Sequence, residues 1–144
     1  MRIVSKSLAE TEKIAKDFLD KISLSYGDSA MIVGLYGDLG SGKTTFTQAL
    51  ARILGVNEIV TSPTFVIEKR YTTGSGKFSS LIHIDAYRLD SSREMLALNW
   101  KDISRNPQNL IFIEWPERIL DILPENHLKI FFKSISESER EIEI

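Results

Sequence analysis

The 144-residue chain has no cysteine, and this absence excludes disulfide bonds, thiolate metal sites and a cysteine nucleophile. It also has no apolar run that approaches the ~20 residues a membrane-spanning helix needs. The segment from Met1 to Ser7 lacks the apolar stretch of a signal peptide. We therefore expect a cytoplasmic protein with no membrane partner.

Excess charge is missing as well, because 18 basic and 20 acidic side chains give a formal net charge of −2. Such a balance provides no global positive field for nucleic acid or anionic lipid, so contact with RNA would have to come through a partner or a local patch. Hydrophobic residues make up 42% of the chain, as is ordinary for globular proteins. The length predicts a single domain over residues 1–144.

The most informative stretch is residues 37–45, Gly-Asp-Leu-Gly-Ser-Gly-Lys-Thr-Thr, which fits the phosphate-loop pattern G-x-x-x-x-G-K-[ST] at every fixed position. An apolar run over residues 30–36 precedes it as a buried strand would, and a helical pattern follows it. Glycines let backbone N–H groups turn towards phosphate oxygens, and the helix N-terminus adds unpaired donors. Lys43 would contact the β- and γ-phosphates and the Thr44 hydroxyl would ligate Mg²⁺. The motif predicts nucleotide binding.

Strand and helix patterns are mixed along the rest of the chain. A capping-box spacing at residues 7–10 predicts a helix from about Leu8 to Ser23, and a second helix runs from about Gly42 to Gly55. A short helix after Asp90 is expected to stop at Asn99 in a left-handed conformation. Residues 2–4 are expected to form a short edge strand, strand-like runs cover residues 30–36, 65–71, 81–84, 110–115 and 128–132, and residues 141–144 alternate like a solvent-facing edge strand.

These patterns predict a three-layer α/β domain like that of P-loop NTPases, with a mixed, mostly parallel sheet and an antiparallel hairpin over residues 65–84. In a parallel sheet the ligand lies at the carboxyl ends of the strands. Asp85 and Glu114 each follow an apolar run directly, so both are candidates for the carboxylate that a Mg-nucleotide site needs. One would hold the metal while the other orients the attacking water, and the sequence does not assign these roles.

The loop after the phosphate-loop helix contains Thr61, Ser62 and Thr64, any of which could complete a metal shell in a switch-like design. An ordinary loop with local hydroxyl-to-backbone bonds explains them equally well. His83 shares a strand face with Asp85, as either a partner of the carboxylates or a core histidine. Tyr87 and Trp115 are interpreted as packing groups.

With these residues assembled, the chain resembles the TsaE (YjeE) family, the small ATPase of bacterial tRNA threonylcarbamoyladenosine synthesis. The resemblance spans nearly the whole chain. Its landmarks, in order, are Gly-Asp-Leu-Gly-Ser-Gly-Lys-Thr-Thr (37–45), Thr-Ser-Pro-Thr-Phe (61–65), His-Ile-Asp-Ala-Tyr-Arg-Leu (83–89) and Ile-Glu-Trp-Pro-Glu (113–117). The phosphate loop is common to many NTPases, whereas the ordered set is specific.

The resemblance implies an ATPase, weak alone, that works with the TsaB–TsaD pair, in which TsaD transfers a threonylcarbamoyl group to an adenosine beside the anticodon. ATP binding or hydrolysis would reset that complex between turnovers, and tRNA would be met only through it. The implied cofactors are ATP and Mg²⁺. One departure is Asn99-Trp100, where the family usually has glycine and an aliphatic residue, and we expect the bend to survive because asparagine tolerates a left-handed turn.

Carried over by position, the implied catalytic residues are Lys43, Asp85 and Glu114, and the implied metal ligands are Thr44, Glu114 and Asp85. The implied nucleotide contacts come from the phosphate loop, the switch-like loop, the start of the first helix and a late arginine: Leu8, Thr11, Asp38, Leu39, Gly40, Ser41, Gly42, Lys43, Thr44, Thr45, Thr61, Thr64 and Arg140.

Three other functions share the same motif. A small P-loop kinase would need an acceptor pocket and a basic lid, and the basic stretch over residues 68–77 is predicted to be a hairpin instead. A GTPase is disfavoured because the chain has no Asn-Lys-x-Asp guanine motif. A nucleotide-gated binding module that never needs to hydrolyse ATP would use the same residues as a weak ATPase, and it stays open here.

Overall fold

A seven-stranded sheet forms the centre of the molecule in this computed structural model, which describes residues 1–25, 27–61, 63, 67–74 and 76–144. The strand order across the sheet is β1-β7-β6-β2-β5-β4-β3. The strands are β1 (Arg2–Ser5), β2 (Met31–Tyr36), β3 (Glu68–Thr72), β4 (Ser80–Asp85), β5 (Asn109–Glu114), β6 (Leu128–Ser134) and β7 (Arg140–Glu143).

The four central strands β6, β2, β5 and β4 are parallel, as their pairings show. Strand β3 pairs antiparallel with β4, and β7 pairs antiparallel with both β6 and β1. Five of the seven strands therefore point the same way, since β1 is reversed twice relative to β6. The predicted mixed, mostly parallel sheet and the predicted hairpin, here β3–β4, are confirmed.

Helices cover both faces of the sheet. They are α1 (Leu8–Ser23), α2 (Lys43–Ile53), α3 (Ser92–Leu96), α4 (Trp100–Arg105) and a 3-10 helix (Pro116–Ile122). Strand β5 shows how the layers divide: Leu110 and Phe112 pack with α1 and α2, whereas Ile111 and Ile113 pack with the other three helices. Successive side chains of a strand point to opposite faces, so one fully apolar strand supplies both cores. The predicted three layers are confirmed.

Helix α1 begins where the capping-box spacing predicts. The Glu10 N–H donates to Ser7 Oγ at 3.2 Å, and Glu10 Oε2 accepts from the Lys6 N–H at 2.6 Å. The first bond satisfies one of the donors that a helix N-terminus leaves open, while the second differs from a standard capping box because Glu10 accepts from Lys6 rather than from the N-cap residue Ser7. Helix α1 also ends at Ser23 as predicted, and within the described ranges no helix is long and apolar enough to cross a membrane.

Some elements differ from the sequence-based expectation. The prediction that residues 141–144 form an edge strand is wrong, because β7 lies between β1 and β6 and Ile142 is buried. Strand β1 occupies that edge of the sheet instead. Helix α4 and the 3-10 helix were not predicted. Asn99 has the expected left-handed conformation with φ 60°, and α4 starts immediately after it.

The predicted strand over residues 65–71 is shorter in the structure. It begins at Glu68, while residues 64–66 lie outside the described ranges. Ile67, just before the strand, has φ 66°, which a β-branched side chain rarely adopts. Its carbonyl accepts a hydrogen bond of 2.7 Å from the Asp85 N–H. The residue directly before β3 is therefore fastened to the end of β4.

Candidate functional site

A cleft of about 880 Å³ opens at the carboxyl ends of β2, β4 and β5. The loop after β2 is the phosphate loop, β4 ends at Asp85, and β5 ends at Glu114. This is the edge at which open α/β sheets bind ligands, because the strand ends and the following loops leave a crevice there. The volume lies in the range of small-molecule and cofactor sites.

The phosphate loop is held closely against the sheet. A Cβ on Gly37, whose φ is 151°, would lie 2.6 Å from the Phe132 carbonyl oxygen and 2.7 Å from Ser41 Oγ. Gly42 follows with φ 106°, and α2 starts at Lys43. The absence of a side chain at Gly37 lets the loop backbone lie directly against β6.

Lys43 folds back onto its own loop. Its side chain is 5% exposed, Nζ donates to the Gly37 carbonyl, and Nζ lies 4.2 Å from the centre of the Trp115 ring. Burial lowers the pKa of the Lys43 ammonium, although neighbouring carboxylates act in the opposite direction, Glu114 most strongly. The ammonium thus has a backbone carbonyl and an aromatic face as partners, both of which a phosphate oxygen could replace.

Trp115 owes its position to an unusual backbone conformation. It has φ 58° and ψ 49°, it directly follows β5, and Pro116 opens the 3-10 helix after it. Its ring centre lies 5.1 Å from that of Tyr87, and the Arg118 guanidinium lies 5.5 Å from the Tyr87 ring. The two aromatic rings pack against each other, as interpreted, and they also line the cleft.

The two candidate carboxylates sit side by side on neighbouring parallel strands. Asp85 and Glu114 are Cα partners in the β4–β5 register, and they are 6% and 5% exposed. Thr44 Oγ1 donates to Glu114 Oε1 at 3.4 Å, while Asp85 Oδ1 accepts from the Tyr87 N–H at 3.0 Å. The other oxygen of Glu114, Oε2, lies 2.9 Å from His83 Nε2. Register therefore places both acids beside the first turn of α2.

The donor set suits Mg²⁺, which prefers oxygen ligands and keeps several positions for water and substrate phosphates. Thr44 Oγ1 and the Glu114 carboxylate already face each other, and Asp85 lies on the adjoining strand. In the described part of the chain, no group of three or more His, Cys, Asp or Glu side chains could hold a metal alone. A metal held here would thus need the Thr44 hydroxyl and the oxygens of a bound nucleotide.

The opposite wall of the cleft comes from the start of α1 and the β6–β7 turn. Leu8 and Thr11 line it, and Thr11 Oγ1 is hydrogen-bonded to Ser5 Oγ at 2.7 Å. Arg140 Nη1 donates to carbonyls of the turn. The Arg140 side chain passes beside Gly42, and its Cγ would lie 3.6 Å from a Cβ added to that glycine. Arg140 is therefore hydrogen-bonded to the β6–β7 turn and lies beside the phosphate loop.

Most of the residues singled out in the sequence meet in this cleft. Those that line it are Leu8, Thr11, Leu39, Gly40, Ser41, Gly42, Lys43, Thr44, Thr45, Asp85, Glu114 and Arg140. Asp38 does not line it, and its side chain is exposed at the apex of the loop. Thr61 is also outside it, with its hydroxyl accepting from Lys69 Nζ at 2.9 Å. Thr64 and Ser62 lie outside the described residues.

Sequence reasoning missed several side chains of the cleft: Lys6, Tyr87, Trp115, Glu137 and Ser138. Trp115 had no usable signal, since a residue before proline favours extended backbone, whereas Trp115 adopts φ 58° and ψ 49°. Glu137 and Ser138 belong to a polar turn whose proximity to the cleft depends on the pairing of β6 with β7. That pairing is not visible in local sequence.

Comparisons with known proteins agree over nearly the whole chain. The family model described as "Threonylcarbamoyl adenosine biosynthesis protein TsaE" matches residues 5–142. The chain belongs to the TsaE family. A Bacillus subtilis tRNA threonylcarbamoyladenosine biosynthesis protein TsaE is 38% identical over 92% of this chain and 77% of its own length. The protein of the same name from Treponema pallidum is 32% identical over 100% of this chain and 99% of its own.

A solved structure agrees with the fold. The crystal structure of Bacillus subtilis YdiB aligns with a TM-score of 0.68 and 32% identity, and it covers 99% of this chain and 82% of that one. The resemblance to the TsaE family and the predicted α/β fold are thus confirmed. As a TsaE family member, the chain has its role in tRNA threonylcarbamoyladenosine biosynthesis.

Proposed function

We propose that this TsaE family member is a Mg-dependent ATPase, weak alone, that resets a TsaB–TsaD complex between rounds of tRNA modification. The observation that carries the proposal is the meeting of Thr44 and Glu114 in the cleft, with Lys43 and Asp85 beside them. A hydroxyl at the first turn of a phosphate-loop helix and a buried strand-end acid are the pair that P-loop NTPases use for Mg²⁺.

The residues divide the work as follows. Backbone N–H groups at residues 40–42 and the N-terminus of α2 receive the phosphates, and Lys43 exchanges the Gly37 carbonyl for a phosphate oxygen. Thr44 and Glu114 hold the metal, and Asp85 supports it or orients the attacking water. Mg²⁺, when bound, neutralises charge on the phosphates. Ser41 Oγ is further evidence for a polar ligand here, because this atom is buried and has no hydrogen-bond partner among the described residues.

We further propose ATP as the nucleotide and the cytoplasm as the location, where ATP and tRNA occur together. A single folded domain over residues 1–144 suits this role, and contact with tRNA would come through TsaB–TsaD. This is in keeping with a formal net charge of −2, which provides no general attraction for RNA.

Reconstituted tRNA modification over many turnovers tests the proposal. Wild-type chain, TsaB–TsaD, Mg-ATP and the activated threonylcarbamoyl donor should sustain modification and release phosphate. Glu114→Gln should bind ATP but release phosphate at least about tenfold more slowly, because it removes a charge from the metal site. Glu125→Gln removes an equal charge from an exposed turn and is the matched control.

Two results would contradict the proposal. If wild-type chain with TsaB–TsaD released no phosphate above background, the ATPase assignment would be wrong. If Glu114→Gln sustained modification as well as wild type while releasing no phosphate, nucleotide binding alone would drive the cycle. That second outcome would favour the nucleotide-gated binding module over an enzyme.

A further inference from the structure

One buried polar side chain has no place in the scheme above. His83 lies in the middle of β4, fully buried among apolar side chains, two residues before Asp85. Its Nε2 is 2.9 Å from Glu114 Oε2. Burying a polar ring costs free energy unless the ring is hydrogen-bonded. We therefore expect the histidine at this position to make an interaction that an aliphatic residue could not make.

The direction of this hydrogen bond follows from what surrounds the ring. An ionised carboxylate only accepts, so Nε2 must carry the hydrogen and donate it to Glu114 Oε2. Nδ1 is buried and has no partner within the described residues. With the hydrogen on Nδ1, that donor would be unsatisfied and an Nε2 lone pair would face the carboxylate. The Nε2–H tautomer avoids both penalties.

This donor divides the two oxygens of Glu114 between different tasks. Oε2 is occupied by His83, and Oε1 is left facing Thr44 Oγ1 at 3.4 Å. Asp85 has no equivalent side-chain donor among the described residues, and its Oδ1 accepts from the backbone N–H of Tyr87. The rotation of the Glu114 carboxylate is thus fixed from the interior of the sheet.

We propose that His83 is a positioning residue that holds Glu114 Oε2 and thereby turns Oε1 towards Thr44 and the metal of a bound Mg-nucleotide. The inference rests on the proposed function, and it assigns the direct metal role to Glu114 rather than Asp85. Partners that orient a ligating carboxylate in this way affect metal affinity by about 10–100-fold when removed.

Calorimetric titration with ATP, once with Mg²⁺ and once with a chelator, gives a readout that does not depend on turnover. The gain in ATP affinity on adding Mg²⁺ should fall by about 10–100-fold in His83→Leu, while metal-free ATP affinity changes little. His83→Gln should keep most of the gain, because its amide nitrogen reaches the position of Nε2. His127→Leu removes the other histidine, which contacts Tyr36 outside the cleft, and should behave as wild type.

His83→Asn completes the design, because its shorter amide mimics Nδ1 and cannot reach Glu114. If His83→Leu does not fold, the comparison of His83→Gln with His83→Asn carries the test, with the gain kept in the first and lost in the second. Equal gains in these two, or a full gain in His83→Leu, would overturn the inference. An equal loss of ATP affinity with and without Mg²⁺ in His83→Leu would also overturn the inference, because it would show that His83 serves only in packing. Absence of any Mg²⁺ gain in wild type would instead overturn the proposed function.

Discussion

Replacing Gly37 by alanine tests whether the phosphate loop depends on close contact with the sheet. The new Cβ would lie 2.6 Å from the Phe132 carbonyl oxygen and 3.1 Å from Phe132 Cβ. Phe132 cannot easily retreat, because it is a β6 residue whose ring packs against Phe46 in the core. The loop must therefore move, and it carries with it the carbonyl that holds Lys43.

The magnitude comes from two contributions. A non-glycine residue at such a φ costs about 1–3 kcal/mol of backbone strain. Forcing a methyl group into closely packed surroundings costs a further ~1–3 kcal/mol. Gly40→Ala is the matched control, since Gly40 has φ 73° but a Cβ there meets nothing within 4 Å. It should pay only the strain of a left-handed residue, about 1–2 kcal/mol.

Urea unfolding gives the loss of unfolding free energy in both variants, from the shift of the midpoint where the denaturant slope is unchanged. Gly37→Ala should lose about 1–3 kcal/mol more unfolding free energy than Gly40→Ala, and it should also bind ATP more weakly. Equal losses in the two variants would show that the Gly37 contact with Phe132 does not constrain the loop. Unchanged ATP affinity in a destabilised Gly37→Ala protein would refute the coupling of this contact to Lys43.

Two further predictions concern Lys43. Burial lowers the pKa of Lys43 in the folded chain below its ordinary value of 10.5. Between the lowered pKa and 10.5, Lys43 holds its proton in the unfolded chain but has lost it in the folded chain. The free energy of unfolding therefore rises with pH in this range. Urea unfolding from neutral pH towards 10.5 should therefore show wild type gaining stability relative to Lys43→Met, and a pH-independent difference would contradict this. Lys43 Nζ lies 4.2 Å from the Trp115 ring, so Mg-ATP should change the fluorescence of Trp115, which is measured in the Trp100→Phe variant. The same fluorescence change in the Trp115→Phe variant would refute this prediction.

Features set by short-range chemistry could be predicted from the sequence. The start of α1 is fixed by two local hydrogen bonds of Glu10, one with Ser7 three positions earlier and one with Lys6 four positions earlier. Asn99 has the expected left-handed backbone, which favours asparagine over bulkier residues, although α3 already ends at Leu96 rather than at Asn99 as predicted. The phosphate loop likewise carries its geometry in its own glycines. The start of α1 and the conformation of Asn99 depend on neighbours within one or two turns of chain, whereas the close fit of Gly37 also requires Phe132 of β6.

Features set by distant pairing could not be predicted. Strand β7 is an interior strand only because β1, from the other end of the chain, pairs with it, as in the register of Ile3 with Ile142. Helix α4 is six residues long and depends on packing of Trp100 and Ile103 rather than on a periodic pattern. The contact of His83 with Glu114 requires the β4–β5 register, which places Asp85 opposite Glu114.

That same register limits where the chain can be lengthened. A single-residue insertion within β4 would rotate everything after it by one position and send the Asp85 side chain to the opposite face of the sheet. The turn between β3 and β4 lies at the far end of β4, about 17 Å of extended chain from Asp85. An affinity tag or a reporter peptide placed in that turn would leave both acids in place, whereas one added residue between Leu81 and Ile84 would separate them.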